Sequence, residues 1–244
     1  EVDYRSTCPT FVDCLDDIRG WSRDHPGHLP ITIQIEAKDD VIPDPTGLGF
    51  VQPLPWTAPG FAALEAEIHS VFGDQGIISP GDIKGHSRSI AEAVRKGRWP
   101  TLDEARGQVM FVLDDKGAKR DAYRAQVPDV DDRLIFVDVP PSDPDAAVMV
   151  VNDPVGDGAR IRDLVAQGFI VRTRADADTV EARSGDTSRR DAAFASGAQY
   201  VSTDYVFPDD HFGTGYVVDL PGTGAARCNP VNAPKRCLKA DLSG

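Results

Sequence analysis

The sequence predicts an α/β fold with a mostly parallel sheet, and among such folds a TIM-type (β/α) barrel. Three observations lead there. β-rich runs alternate with helical stretches along the chain, as in strand–helix–strand units. Several of those runs have one polar parity that becomes more charged toward its C-terminal end. Strands of an open sheet covered on both faces are apolar on both parities, whereas barrel strands open their inward parity into a site at the C-terminal face. No Gly-x-Gly-x-x-Gly or P-loop pattern follows any strand, which weakens the nucleotide-binding alternative.

Thr10 to Asp24 places Phe11, Cys14, Leu15, Ile18 and Trp21 at helical spacing, with Thr7 or Thr10 as the cap and Asp24-His25-Pro26-Gly27 as the stop. Leu29 to Lys38 reads as a strand, with Ile31, Ile33 and Ile35 on one parity and Thr32, Gln34, Glu36 and Lys38 on the other. Residues 60–72 and 87–97 read as helices. Val109 to Leu113 is a buried strand ending in Asp114-Asp115, and Leu134–Val139 and Ala147–Val151 are two more, separated by a short gap holding Pro140-Pro141. Residues 159–167 form a helix, and Phe169–Thr173 a strand whose polar parity continues through Arg172, Arg174 and Asp176. An Ala- and Arg-rich helix spans 187–196, and Tyr200–Tyr205 is the last strand, with Ser202 and Asp204 on its polar parity. The whole, residues 1–244, is expected to be a single barrel domain with a Gly/Pro-rich, disulfide-bearing tail over 206–244.

Composition narrows the function. The 26 Lys and Arg against 39 Asp and Glu give a net charge of −13, which excludes a nucleic-acid binder that works by covering phosphates with basic side chains. No apolar run is long enough to span a membrane. The four cysteines form two close pairs, Cys8 with Cys14 and Cys228 with Cys237, without the spacing of a zinc knuckle. Two local disulfides are expected, and with them a secreted, extracellular protein.

Glu36, Lys38, Asp39 and Asp40 cluster at a strand end. There a carboxylate suits a hard cation such as Ca2+ or the work of a base; the plain alternative is a solvated charge cluster. Arg172 and Arg174 share a parity and suit phosphate oxygens, or else an internal ion-pair layer with Glu36, Asp176 or Asp204. His25 and His28 precede the first strand, at the end away from any site, and are expected to be structural; His69 is expected to be an exposed helix residue. His86 and His211 follow strands and are the histidines able to reach the C-terminal face. No Ser, His and Asp stand in a nucleophile-elbow context.

At these residues the chain resembles the calcium-dependent, phosphoinositide-specific phospholipase C family, in its secreted bacterial branch. The run Leu29 to Asp39 is similar to that family's fourth barrel strand with its acidic end. Val71-Phe72-Gly73-Asp74 through Ser79-Pro80-Gly81-Asp82 also resembles the family, and Trp99-Pro100-Thr101 through Gly107, leading into Val109–Leu113, resembles the approach to its fifth strand. Arg172 to Asp178, Ser202 to Tyr205 and the tail Arg227-Cys228-Asn229-Pro230 complete the likeness.

The resemblance implies a TIM-type barrel that cleaves the glycerol–phosphate bond of an inositol phospholipid, through attack of the inositol 2-hydroxyl, with Ca2+ and a histidine pair. By position Glu36 is then the catalytic and metal-ligating carboxylate, Lys38, Arg172 and Arg174 the cationic substrate wall, and Asp114, Asp176, Asp204 and Tyr205 candidates for orienting ring hydroxyls. The family's His-Asn pair, Glu-x-Asp pair and second histidine lie on its first three strands and have no counterpart here. The expectation is therefore a barrel lacking its first three strands in this chain, completed by an N-terminal segment or a second chain, and inactive alone. Expected partners are a phospholipid or inositol-phosphate substrate and a transient membrane surface, met through loops such as Phe50 to Trp56. The rival readings are a glycerophosphodiesterase or sphingomyelinase D-like phosphodiesterase on the same barrel, and a barrel that binds headgroups without turnover.

Overall fold

The structure, a computed structural model, describes residues 7–220, 224, 226–238 and 242. Its elements in chain order are α1 (Phe11–Asp24), β1 (Ile31–Ile35), α2 (Ala58–Phe72), α3 (Pro80–Lys84), α4 (Ile90–Arg95), α5 (Leu102–Ala105), β2 (Val109–Leu113), α6 (Ala118–Gln126), β3 (Ile135–Val137), β4 (Val148–Val150), α7 (Gly158–Ala166), β5 (Ile170–Arg174), α8 (Val180–Ser184), α9 (Ser188–Ser196) and β6 (Tyr200–Ser202). The chain divides into two compact units, Glu1–Ile83 with Pro100–Asp138, and Lys84–Trp99 with Val139–Gly244.

In the first unit β1, β2 and β3 form a parallel sheet in that order, with Ile35 opposite Leu113 and Leu113 opposite Val137. The expected one-sided pattern of β1 holds at its C-terminal end, where Ile35 and Ala37 are buried while Gln34, Glu36 and Lys38 are exposed. β2 and β3 are buried throughout. Thr10, not Thr7, caps α1: its hydroxyl accepts the Asp13 N–H at 3.2 Å and the Asp13 carboxylate accepts the Thr10 N–H at 3.1 Å. Of the apolar face predicted for α1, Leu15 is fully buried but Trp21 is 48% exposed, because its ring stacks instead on His25 at 4.3 Å. α2 buries Phe61, Leu64, Ile68 and Phe72, a stripe at helical spacing, and packs on α1 and α6. The Tyr123 hydroxyl of α6 donates to Glu65 of α2 at 2.7 Å, and the same carboxylate accepts the Leu134 N–H at 2.9 Å, docking both helices on the entry to β3. Burial pushes the Tyr123 phenol well up, and the Glu65 charge adds to it.

In the second unit β4, β5 and β6 form another parallel sheet in that order, with α7 and α9 packed on β5. Val171, Thr173 and Ala175 are buried and the intervening Arg172 and Arg174 half-buried, the alternation the sequence predicts. The tail closes on α9: the Asn229 amide donates to the Gly197 carbonyl at 2.7 Å, and the Arg227 guanidinium lies over the Phe194 ring at 5.3 Å. Both expected disulfides, Cys8–Cys14 and Cys228–Cys237, are formed.

The α/β class and the parallel strands agree with expectation. A closed barrel is not seen among the described residues, where the strands form two separate three-stranded sheets. Between β3 and β4 runs the segment with Pro140 and Pro141, which have no N–H to give a ladder. The strands are also shorter than expected: β3 begins at Ile135 and β6 ends at Ser202. The sequence does not reveal α6, because Tyr123 is its single buried residue and the rest of its apolar stripe is only Ala118, Ala122 and Ala125 among charged residues.

Candidate functional site

In the first unit the C-terminal ends of β1, β2 and β3 carry acids: Glu36, then Asp114 and Asp115, then Asp138. Parallel pairing brings these ends together, since Ile35, Leu113 and Val137 stand in register. Glu36 pairs with Lys38 at 3.1 Å, but both side chains are more than half exposed, so the pair adds little to stability. What fixes this segment is its backbone. The Asp115 carboxylate accepts the Ala37 N–H at 2.6 Å, and the Lys119 ammonium donates to the Ala37 carbonyl at 2.5 Å and to Asp39 at 2.6 Å. Asp39 also accepts the Trp56 N–H at 2.9 Å. The Lys119 hydrogen bond, then the Trp56 N–H, hold the Asp39 carboxyl below its usual range, and Asp39 raises Lys119 in return. Asp114 accepts from the Gln34 amide, and Asp138, itself buried, pairs with Lys116 at 3.1 Å.

In the second unit the ends of β5 and β6 are joined by Asp176. This buried carboxylate accepts the Thr203 hydroxyl at 2.5 Å, the Asp204 N–H at 3.2 Å and, at 3.5 Å, the Tyr216 hydroxyl, which also reaches the Ala175 carbonyl at 3.0 Å. Tyr205 is buried edge-on against Tyr216, with ring centroids 5.6 Å apart, while Asp204 is exposed. Burial, then the charge of Asp176, raises both tyrosines. The Arg172 guanidinium donates to the Asn152 side chain at 2.6 Å.

The structure thus gathers Glu36, Lys38 and Asp114 at one set of strand ends, and Arg172, Arg174, Asp176, Asp204 and Tyr205 at the other. Sequence reasoning missed Asp115, Lys116, Lys119 and Asp138 at the first set and Tyr216 at the second. The doubled acid after β2 was the available signal; the lysines lie on and before α6, whose apolar stripe holds one large side chain, Tyr123, and is otherwise alanine. His28 is buried and structural as expected, its ring nitrogens 2.8 Å from the Ser22 hydroxyl and 2.6 Å from the Leu29 carbonyl. His69 is exposed and pairs with Asp74 at 2.9 Å; His86 is exposed, and His211, also exposed, pairs with Asp209 at 2.9 Å.

Calcium takes about six to eight oxygen ligands. Among the described residues no group of three or more His, Cys, Asp or Glu side chains is arranged to hold a metal. Glu36 offers one exposed carboxylate, while Asp39 and Asp115 are engaged by Lys119 and the Ala37 N–H. These donors do not fit a complete calcium site.

Solved structures similar in fold include a Ca2+-dependent phosphatidylinositol-specific phospholipase C from Streptomyces antibioticus. It has a TM-score of 0.55 and 22% identity, over 80% of this chain and 70% of that one. Two crystal structures of a calcium-dependent phosphoinositol-specific phospholipase C from a Gram-negative Pseudomonas species, one of them described as a myoinositol complex, each give a TM-score of 0.54. Their identities are 18% and 17% over 79% of this chain, which spans 65% and 64% of theirs. No curated protein matches the chain. By fold, then, it stands with bacterial phospholipases of this class. Residues 1–230 match the family described as Phosphoinositide phospholipase C, Ca2+-dependent, and the chain belongs to that family. The resemblance read from the sequence, with the phosphodiesterase class and calcium dependence it implied, agrees with this assignment.

Proposed function

We propose that this chain is the larger part of a secreted phospholipase C whose single catalytic domain, a TIM-type barrel, cleaves the glycerol–phosphate bond of a phosphoinositide. The observation that carries the reading is the family match, which runs through both compact units from residue 1 to 230. The disulfides at the two ends support an oxidising, extracellular setting. Glu36 is the carboxylate at the reacting centre, presented to solvent from a backbone clamped by Asp115 and Lys119. Lys38 in the first unit, and Arg172 and Arg174 in the second, are the cationic side chains suited to phosphate oxygens, where negative charge grows as the attacking hydroxyl adds to phosphorus. Asp114 in the first unit and Asp204 in the second are the residues for orienting ring hydroxyls, and within the second unit Asp176 and Tyr205, both buried, keep the β5 and β6 ends in place.

The described residues supply neither a metal cluster nor a histidine pair at the strand ends. The chemistry is accordingly completed by a segment bearing His-Asn and Glu-x-Asp, on an N-terminal extension or a second chain, with the membrane surface met transiently. The test is release of inositol phosphate from phosphatidylinositol vesicles with Ca2+ present. The 244-residue chain alone is expected to stay at background, and addition of such a segment to give turnover with a cyclic inositol phosphate as product. Turnover by the chain alone overturns the requirement for a completing segment. A non-cyclic product points to the glycerophosphodiesterase-like reading, and headgroup binding without turnover in the completed protein to the non-catalytic one.

A further inference from the structure

Two segments without a single acidic residue meet at the N-terminal ends of β5 and β6, both inside the second unit. One is 93–102, which carries Arg95, Lys96 and Arg98. The other is 227–238, the disulfide-closed part of the tail, which carries Arg227, Lys235 and Arg236. In a chain with 26 basic against 39 acidic residues, such runs depart from the composition around them.

The fold seats both segments on the turns that start these strands. The Trp99 indole donates to the Gly168 carbonyl at 2.8 Å. Gly168, at φ of +94°, has no Cβ to strike the Val94 carbonyl oxygen, which would lie 2.6 Å from it. The Asn232 amide donates to the Val165 carbonyl at 3.1 Å, in the last turn of α7. Val231 fills the place of the Cβ that Gly197, at φ of +81°, lacks. The Cys228–Cys237 bond closes this loop, which lowers the entropy lost when its cations are engaged.

Most of the cations gathered here have no carboxylate to match them. Lys96 pairs with Glu92 at 2.8 Å. The Arg95 guanidinium instead donates to the Pro141 carbonyl at 2.6 Å and lies over the Phe169 ring at 4.8 Å. Arg98, Lys235 and Arg236 are exposed, and among the described residues their side chains make no ion pair or hydrogen bond. The acids at this end are engaged or stand aside. Glu92 holds Arg88 and Lys96, and Asp163 accepts the Gln167 amide at 2.8 Å. Asp143 and Asp145 precede β4, beside the first turn of α4, where the Ala91 N–H donates to the Pro144 carbonyl.

We infer that Arg95, Arg98, Lys235 and Arg236 form a docking surface for a flexible polyanion, a polymer of repeated phosphate or sulfate groups. The cations stand on two loops and face solvent, so they suit charges offered in series better than one anion. A flexible chain touches this patch alone. A bilayer of anionic lipid is a plane that also meets the acidic remainder of the molecule, whose net charge is −13, and is repelled by it. The inference goes beyond the phospholipase reading and does not rest on it. Arg174, Asp176 and Asp204 stand at the C-terminal ends of β5 and β6, so a polymer bound at the opposite ends leaves them uncovered.

The experiment titrates the full chain into fluorescently labelled long-chain inorganic polyphosphate, and separately into labelled dextran sulfate, and follows anisotropy. Four phosphate contacts predict an affinity that falls on the order of 50-fold between about 50 mM and about 200 mM salt. Replacing three side chains together, Arg98→Ser, Lys235→Ser and Arg236→Ser, is expected to lower the low-salt affinity on the order of 100-fold and to flatten its salt dependence. Near-UV circular dichroism and the urea midpoint of that variant should match the wild type, since none of the three side chains supports another group. Arg174→Ser, at the other strand ends, is expected to bind polymer as the wild type does. Affinity unmoved by salt, or equal binding by the triple variant, overturns the inference. So does a loss with Arg174→Ser in place of the triple variant, which puts the polymer at the substrate arginines. Orthophosphate that competes as well as polyphosphate, phosphate group for phosphate group, overturns the need for charges in series. Binding to phosphatidylserine vesicles that the triple variant abolishes, with neither polymer bound, makes a lipid surface the partner and overturns the polymer. Binding of one polymer and not the other supports the docking and names the anionic group. Polymer binding by a completed protein that fails to turn over phosphatidylinositol supports the inference and sinks the catalytic reading alone.

Discussion

Glu36 and Asp176 show how two acids at strand ends acquire different work. Glu36 follows a strand residue, Ile35, that is buried, so alternation turns it out to solvent, where Lys38 is its neighbour. Asp176 is buried and engaged by Thr203, Asp204 and Tyr216, which makes it a tie between β5 and β6. In the completed, active protein Glu36→Gln is therefore expected to lower kcat by on the order of 100-fold. Urea unfolding should be unchanged, because the exposed pair the carboxylate makes with Lys38 adds little to stability. A loss of stability equal to that of Asp176→Asn would place Glu36 in the framework instead. The sequence made Glu36 and Lys38 legible because they alternate with Ile31, Ile33 and Ile35. It hid the environment of Tyr205, since the rings that cover it, Phe212 and Tyr216, lie in a tail without periodicity. It likewise hid Lys119, whose role depends on tertiary contact with Asp39.

Among the elements, long helices and strands built on large apolar side chains were legible; short helices were not, even α5, which has a capping box of Thr101 and Glu104. α1 and β2 were read within a residue or two, from Thr10 and from an unbroken apolar run. α6 was missed, and α4 proved shorter than the helix predicted over 87–97. The start of α4 is set by Ser89, whose hydroxyl accepts the Glu92 N–H at 3.1 Å. The Glu92 carboxylate then gathers the Arg88 N–H and guanidinium, each at 3.0 Å, and the Lys96 ammonium at 2.8 Å. Arg88 first, then Lys96, bring Glu92 down from 4.5 to about 2. A carboxyl depressed in the folded state binds its proton more readily once unfolded. Its contribution is therefore complete above pH 4.5 and is lost as pH falls from 4.5 toward about 2. Glu92→Gln should lower the urea midpoint at neutral pH and flatten its decline across that window. An acid limb with the wild-type slope would show that the carboxylate is not held this way.

At the scale of the molecule, the unpaired edge of β1 carries the argument for a completing strand. The Ile31 N–H donates to the Gln108 carbonyl and the Ile35 carbonyl accepts the Asp114 N–H, so these residues face β2. In a strand the backbone groups of alternate residues point to opposite edges, which turns those of Thr32 and Gln34 away from β2. β1 is the outer strand of its sheet, and among the described residues no strand pairs with that edge. An uncovered parallel edge exposes donors and acceptors that a closed barrel of about eight strands would satisfy. Through its resemblance to the family's fourth strand, β1 is expected to receive the third strand along this side. Hydrogen exchange gives the decisive contrast, because it separates the two edges of one strand. In the isolated chain the Ile33 and Ile35 amides should be protected while those of Thr32 and Gln34 exchange rapidly. Binding of the completing segment should slow the second pair on the order of 100-fold and leave the first nearly unchanged. Uniform protection along β1 in the isolated chain, or turnover restored without any change at Thr32 and Gln34, would mean that the missing chemistry is not delivered by strand addition here.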